Sequence, residues 1–409
     1  MKMKYEGILL SDVHIDRSDL DKLYNEYKSL VIDYISKMKK LDFLVILGDW
    51  FDHKLFLNSR GSEYSYKMLH DLFEVCAEKN TKIRIVYGTE SHECDQYNLI
   101  NNIDTFGLDV KVIKHVSEED LFDDLKVLYL PEESIYNKSE YYKEYFSENQ
   151  KYDYVFGHGV IREAMKEAAA SIESSSGNRR KVPVFSTAEL ERICRGKTYF
   201  GHYHVHTVLG VNDAVSYVGS FTRWEFGEEE DKGFYHISCN PSKDNYSDEF
   251  IVNTLCQSYK TIYFGYDNSI FKEESKMQDA LEHFDSLVKK DVFDHLRLEF
   301  NIPEDANNPE YMINLINEKY KFNQNIKTEI KHGYIEKEKE RKKKEIKEVN
   351  EKYSFIFDKN IDIAENTRHY IAIEYEKTYP VKIIETILTA PLQEILNSDI
   401  FDEIKEDTE

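Results

Sequence analysis

Five short apolar runs within the first 210 residues each end in side chains that bind divalent metals or move protons. Ile8-Leu9-Leu10 leads into Ser11-Asp12-Val13-His14, and Val45-Ile46-Leu47 into Gly48-Asp49-Trp50-Phe51-Asp52-His53. Ile83-Arg84-Ile85-Val86 precedes Gly88-Thr89-Glu90-Ser91-His92-Glu93. Tyr154-Val155-Phe156 leads into Gly157-His158-Gly159, and Tyr199-Phe200 into Gly201-His202-Tyr203-His204-Val205-His206. Alternate residues of an extended Asp-x-His or His-x-His point to the same side, so one strand end offers two ligands. Mixed carboxylate and imidazole donors suit Mn, Fe or Zn better than Ca or Mg. The motifs hold no cysteine, which argues against a structural zinc site. One carboxylate, best Asp49, is placed to bridge two ions; two metals about 3.5–4 Å apart support in-line displacement at phosphorus. His92 is then the residue to act on the leaving group or the phosphate, as acid or hydrogen-bond donor.

Such a set needs a scaffold that gathers distant segments. The runs at 7–10, 43–47, 83–87, 127–130, 154–156 and 198–200 read as strands, and 20–39 and 65–79 as helices. The first helix sets Leu23, Tyr27, Leu30, Tyr34 and Met38 on one face. Strands alternating with helices indicate an α/β layered domain. Ligands in open α/β sheets bind beyond the carboxyl ends of the strands, so all five endings should converge on one crevice. From 215 to 237 the pattern changes to strands joined by polar turns. Strands at 261–264 and 296–300, with helices at 276–289 and 309–320, read as a small α+β domain. Residues 336–352 are almost entirely Glu, Lys and Arg, a solvated helix held by i,i+4 ion pairs. Val381, Ile384, Ile387, Leu388, Leu392, Ile395 and Leu396 give the end of the chain another apolar face, broken by Pro391. That face either packs back on the chain or docks on a partner coiled coil.

Composition narrows the class. In 409 residues there are 77 acidic and 54 basic side chains, a net charge of −23, so overall charge does not hold this chain to nucleic acid. A local basic groove or bound cations remain compatible with that balance. No run approaches the roughly 18 apolar residues of a membrane helix, and the N-terminal run is too short for a signal peptide. The five cysteines are scattered without a CxxC, as for reduced thiols in a cytoplasm.

Asp-x-His, Gly-Asp-x-x-Asp, Gly-x-x-x-His-Glu, Gly-His and Gly-His-x-His together resemble the calcineurin-like metallophosphoesterases. His53 follows the second motif where the protein phosphatases of that group carry Arg. The stretch Tyr217-Val218-Gly219-Ser220-Phe221-Thr222-Arg223, then Phe226-Gly227-Glu228-Glu229 and Lys232-Gly233-Phe234, looks like the DNA repair nuclease branch, the SbcD type. The match spans about residues 5 to 240. It implies a two-sheet α/β/β/α sandwich over residues 1–250. A small α+β capping domain that contacts DNA would follow over 255–330, then a charged helical linker and partner-binding segment over 331–409. It implies two divalent ions, best manganese. Asp12, His14, Asp49 and His204 would hold one ion; Asp49, His158 and His202 the other. His92 matches the catalytic histidine, and Asp52 stands where some members have a second catalytic histidine and others Asp. The implied partners are DNA and an SbcC-like coiled-coil ATPase, in a heterotetramer containing a homodimer of this chain, with no membrane. The family loop is usually Gly-Asn-His-Asp/Glu, its Asn a ligand of the second ion. Here the loop is two residues longer and lacks Asn. Ser91 takes that place as a poor ligand, Glu90 reaches in, or water fills it, so the second site is expected to be the weaker. The rival functions are a nucleotide or cyclic-nucleotide phosphodiesterase of the same superfamily and a non-catalytic structural partner. The appended C-terminal residues weigh against the first, the retained His92 and metal ligands against the second.

Overall fold

The computed structural model describes residues 4–149, 151–174, 180–264, 294–302 and 326–332, with a few single positions between 276 and 318. Seven strands lead the chain: β1 (Tyr5–Leu10), β2 (Phe43–Leu47), β3 (Lys82–Val86), β4 (Val110–Ile113), β5 (Ser117–Phe122), β6 (Leu125–Leu130) and β7 (Tyr152–His158). Next come β8 (Val160–Ile161), β9 (Val184–Phe185), β10 (Cys194–Gly201), β11 (Thr207–Leu209), β12 (Val215–Tyr217), β13 (Gly233–Asn240) and β14 (Asn245–Val252). They build two six-stranded sheets, in the orders β14-β13-β1-β2-β3-β4 and β11-β12-β10-β7-β6-β5; β8 and β9 pair separately. Strands β1 to β4 are parallel, as are β6, β7, β10 and β12, while β5, β11, β13 and β14 run antiparallel to their neighbours.

The strand sequences explain the layering. All five residues of β2 and all seven of β7 are buried, as expected of strands covered on both faces. Alternate residues of β2 go to different cores. Phe43, Val45 and Leu47 join Tyr129, Tyr154, Phe156 and Tyr199 between the two sheets. Leu44 and Ile46 instead join the side chains of helices α1 (Leu20–Tyr27), α2 (Asp33–Lys37) and α3 (Arg60–Ala77). On the outer face of the second sheet, Val155 and Phe200 pack with Tyr142, Leu190 and Ile193 from its covering segments. Residues 4–252 are therefore mixed α/β, with two large sheets face to face and helices outside.

The expected strands are present, most of them longer than the apolar run alone suggested. The helix expected at 20–39 is helical from Leu20 to Lys37, with a π-helical stretch over Lys28–Ile32. The helix expected at 65–79 starts five residues earlier, because Ser59 caps it by accepting from Ser62 N. Strands β4 and β5 went unseen: they sit at sheet edges, and most of their residues are only half-buried or exposed, so they carry no continuous apolar run.

By contact the chain divides into two compact units. One is Met1–Ile262 with Glu282–Leu298 and Glu318–Thr328; the other is Tyr263–Leu281 with Glu299–Asn317 and Glu329–Glu409. Strands expected at 261–264 and 296–300 appear as β15 (Tyr259–Phe264) and β16 (His295–Ile302), which with β17 (Ile326–His332) form a sheet of order β15-β16-β17. Only single positions of the helices expected at 276–289 and 309–320 are described, and the Glu/Lys-rich segment 336–352 and the apolar segment 381–396 lie outside the described residues. Among the described residues, no helix is long and apolar enough to cross a membrane.

Candidate metal centre

The segments after β1 and β2 stay in register beyond the last sheet residues. Asp12 N–H donates to the Gly48 carbonyl (3.2 Å) and His14 N–H to the Asp49 carbonyl (3.0 Å). Asp12, His14 and Asp49 have φ values of 48°, 47° and 48°, and His202 after β10 has 90°. Left-handed backbone at a non-glycine residue costs of order 1 kcal/mol and persists where the surroundings enforce it. It turns these side chains inward from the strand ends. Two glycines make room. A Cβ on Gly48 would collide with His158 Nδ1, and one on Gly88 with Asp49 Oδ1.

Two donor clusters result. Asp12, His14 and His204 each place a ligand atom within 4.8 Å of the others, and so do Asp49, His158 and His202. His14 Nε2 and His204 Nε2 are 3.1 Å apart. Asp49 Oδ2 joins the clusters, 3.7 Å from His14 Nε2 and 3.3 Å from His158 Nε2. Its other oxygen, Oδ1, accepts from Thr89 N–H at 2.7 Å. A third group brings His92 to His14 and Asp49. The structure thus gathers all the residues singled out as ligands, with His92 beside them.

Hydrogen bonds behind the donors set their tautomers. His158 Nδ1–H donates to the Leu47 carbonyl (2.6 Å), which leaves Nε2 for Asp49's side. His92 Nδ1–H donates to the Asp52 carbonyl, which leaves Nε2 for the cluster. Asp52's carboxylate stands behind the ligands: Oδ1 is 3.2 Å from His14 Nδ1, and Oδ2 is 3.3 Å from His53 Nδ1. His202 N–H donates to both oxygens of Asp12, at 3.0 and 3.1 Å.

Electrostatics fit a cation site. Burial alone would lower His158, but the carboxylates of Asp49 and Asp12 raise it to about 10. Burial likewise pushes Asp49 up, yet His158 holds it well below the usual range, while Asp12 is raised by burial. Burial lowers His202 to about 4 and His204 to about 3, so both are neutral imidazoles, the ligand form. Buried His158 Nε2, 3.3 Å from Asp49 Oδ2, makes no hydrogen bond. Buried polar atoms are normally paired. An orphaned imidazole nitrogen facing the shared carboxylate fits a divalent ion with mixed N/O ligands. The glutamates flanking His92 differ from one another. Burial and the Asp49 charge raise Glu93 to about 8, and it accepts from Tyr97 OH, whereas Glu90 is exposed. The Asp52 carbonyl, not either glutamate, is the hydrogen-bond partner that orients the His92 ring.

The stretch that narrowed the resemblance braces the first cluster, at His14 and His204. Lys232 is fully buried and donates to the His204 carbonyl (3.0 Å), Glu228 (3.0 Å) and Glu230 (2.6 Å). Ser220 N–H also donates to the His204 carbonyl, at 3.0 Å. Trp224 packs edge-on against the rings of His14 and His204, each 5.0 Å away. Residues beside the motifs have quieter places. His206 bonds Tyr235 OH and stacks on Phe250, His53 is half exposed, and Trp50 and Phe51 are core.

Sequence reasoning missed four residues here: Arg17, Trp224, Thr89 and Glu132. Arg17 lies over the Trp224 ring at 4.9 Å, with its guanidinium 3.5 Å from Asp52. It follows the Asp-x-His motif by three residues, which is the one sequence signal for it. Ser91 and Glu90, expected to fill the missing Asn place, are both exposed. Comparison with known proteins finds no family model that matches the chain and no curated protein that matches it.

Proposed function

We propose that this chain is a calcineurin-like metallophosphoesterase of the SbcD type. It hydrolyses phosphodiester bonds in DNA with two divalent ions, best manganese, and acts with an SbcC-like coiled-coil ATPase as a homodimer within a heterotetramer. One observation carries the reading: two donor clusters from different strand ends share one carboxylate atom, Asp49 Oδ2, with a histidine beside them that neither cluster uses. The paired sheets with outer helices support the α/β/β/α sandwich of that family.

Asp12, His14, Asp49 and His204 would hold one ion, and Asp49, His158 and His202 the other. When bound, such ions lower the pKa of water and neutralise charge developing on a phosphate. His92, oriented by the Asp52 carbonyl through Nδ1–H, donates a hydrogen bond or proton to the leaving oxygen from Nε2–H as the imidazolium. Asp52's carboxylate orients His14, and Arg17 on Trp224 supplies a cation for a phosphate oxygen in a strongly acidic chain.

The test is cleavage of linear double-stranded DNA with Mn, Mg or no metal, with and without the ATPase, beside nucleotide diesters as competitor substrates. Metal-dependent DNA cleavage that Asp49→Ala abolishes is the expected result. Turnover of small diesters without DNA cleavage would move the reading to a nucleotide phosphodiesterase. Metal-loaded protein that cleaves neither would make the chain a structural partner.

A further inference from the structure

The loop that lacks Asn raises the question of what completes the second cluster. Ser91 and Glu90 lie exposed on the short helix Glu90–Glu93. Thr89 faces inward instead: its N–H holds Asp49 Oδ1 at 2.7 Å, and its hydroxyl is 3.4 Å from His202 Nδ1. The second contributor comes from the other sheet. Beyond β6 the chain passes Pro131, and Glu132 N–H donates to the Tyr87 carbonyl (3.2 Å), which draws Glu132 over the end of β3. Its carboxylate is largely buried, at 9 % exposure. Glu132 Oε2 lies 3.2 Å from His202 Nδ1 and 3.4 Å from Thr89 Oγ1.

These three atoms form a triangle with sides of 3.2, 3.4 and 3.4 Å. Donors in adjacent positions of an octahedral ion with bonds of about 2.1 Å stand about 3 Å apart. The triangle therefore has nearly the dimensions of one octahedral face. His202 belongs both to it and to the Asp49–His158–His202 cluster, where His158 Nε2 is buried without a hydrogen bond. From this geometry we infer that Glu132 is a ligand of the second ion, replacing the missing amide oxygen, with the Thr89 hydroxyl beside it. The inference rests on the two-ion reading above. It reverses the expectation of a weak second site. A carboxylate binds a hard divalent cation better than a neutral amide does, and it tilts the donor set toward Mn and Mg. Ser91→Asn, on the exposed side of the loop, should then leave metal affinity unchanged.

The experiment reads the ion rather than turnover. Manganese titration by calorimetry should give two sites in the unaltered protein, and Glu132→Gln should weaken one of them tenfold or more while the other holds. Thr89→Val should weaken the same site by a smaller factor. Glu132→Cys loaded with cobalt should show a thiolate-to-cobalt charge-transfer absorption that the unaltered protein lacks. A residue that only orients His202 would not produce that band. Absence of the band in a folded, cobalt-loaded Glu132→Cys protein overturns the assignment. If that variant does not fold, two unchanged affinities in Glu132→Gln overturn it. Failure of the unaltered protein to bind any ion would instead sink the two-ion reading itself.

Discussion

Asp49 divides its work between two oxygens, one fixed by Thr89 N–H and one shared by His14 and His158. On the proposed two-ion reading, removing a shared ligand loosens both ions, whereas removing His14 loosens mainly one. Metal content should therefore fall toward zero in Asp49→Ala and to about one ion in His14→Ala; two ions retained in Asp49→Ala would exclude the bridge. His92 makes the contrasting case. Its Nδ1 is committed to a backbone carbonyl, and neither cluster needs it to close. His92→Ala should keep its metal and lose roughly 10²-fold or more in rate, and near-normal turnover in the metal-replete variant would remove it from the chemistry. The residues legible in the sequence were those whose strand ends announce them: Asp12, His14, Asp49, His158, His202 and His204. Glu132, Thr89 and Arg17 were not legible. Each owes its place to a neighbour distant in sequence, Glu132 to Tyr87 and His202, Thr89 to Asp49 and His202, Arg17 to Trp224.

Strands with continuous apolar runs were legible for a simple reason: burial on both faces leaves nothing polar to confuse the pattern, as in β2. Edge strands β4 and β5 escaped because their partners, not their own composition, make them strands. Yet those edges hold an ion-pair clamp between the sheets. Arg84 on β3 is fully buried and donates to Glu119 on β5 at 2.7 and 2.8 Å and to Asp109 Oδ2 at 2.8 Å. A buried Arg inside the run Ile83-Arg84-Ile85 is tolerable only with such partners. Burial pushes Glu119 up, but Arg84 and Lys111 outweigh it and hold the carboxyl at about 2, against an ordinary 4.5. A folded-state value below the unfolded one stabilises at pH above the ordinary value, and that stability is lost as pH falls through the folded value. Glu119→Gln should thus cost about 2 kcal/mol at pH 7. The gap from the unaltered protein should close between pH 4.5 and 2. Denaturant unfolding across that range checks it, and a pH-independent gap would mean that packing, not charge, holds the clamp.

At the scale of the molecule, the site is a joint between the sheets. Asp12, His14 and Asp49 follow strands of the first sheet, while His158 ends β7 and His202 and His204 follow β10 of the second. On the proposed reading each ion would take ligands from both sheets and tie them together, so it would bind the folded chain and not the unfolded one. Such a ligand at 100 times its dissociation constant adds about 2.7 kcal/mol. For a domain of this size that raises the melting temperature by about 5–10 °C. A chain with net charge −23 also gathers divalent cations loosely over its surface, which would raise the melting temperature in any variant. Asp49→Ala separates the two effects, because it removes one charge of 77 acidic side chains but the shared ligand of both clusters. The manganese-induced rise should be large in the unaltered protein, vanish on chelation and be nearly absent in Asp49→Ala. An equal rise in both proteins would show that the cations act on the acidic surface and not at the joint.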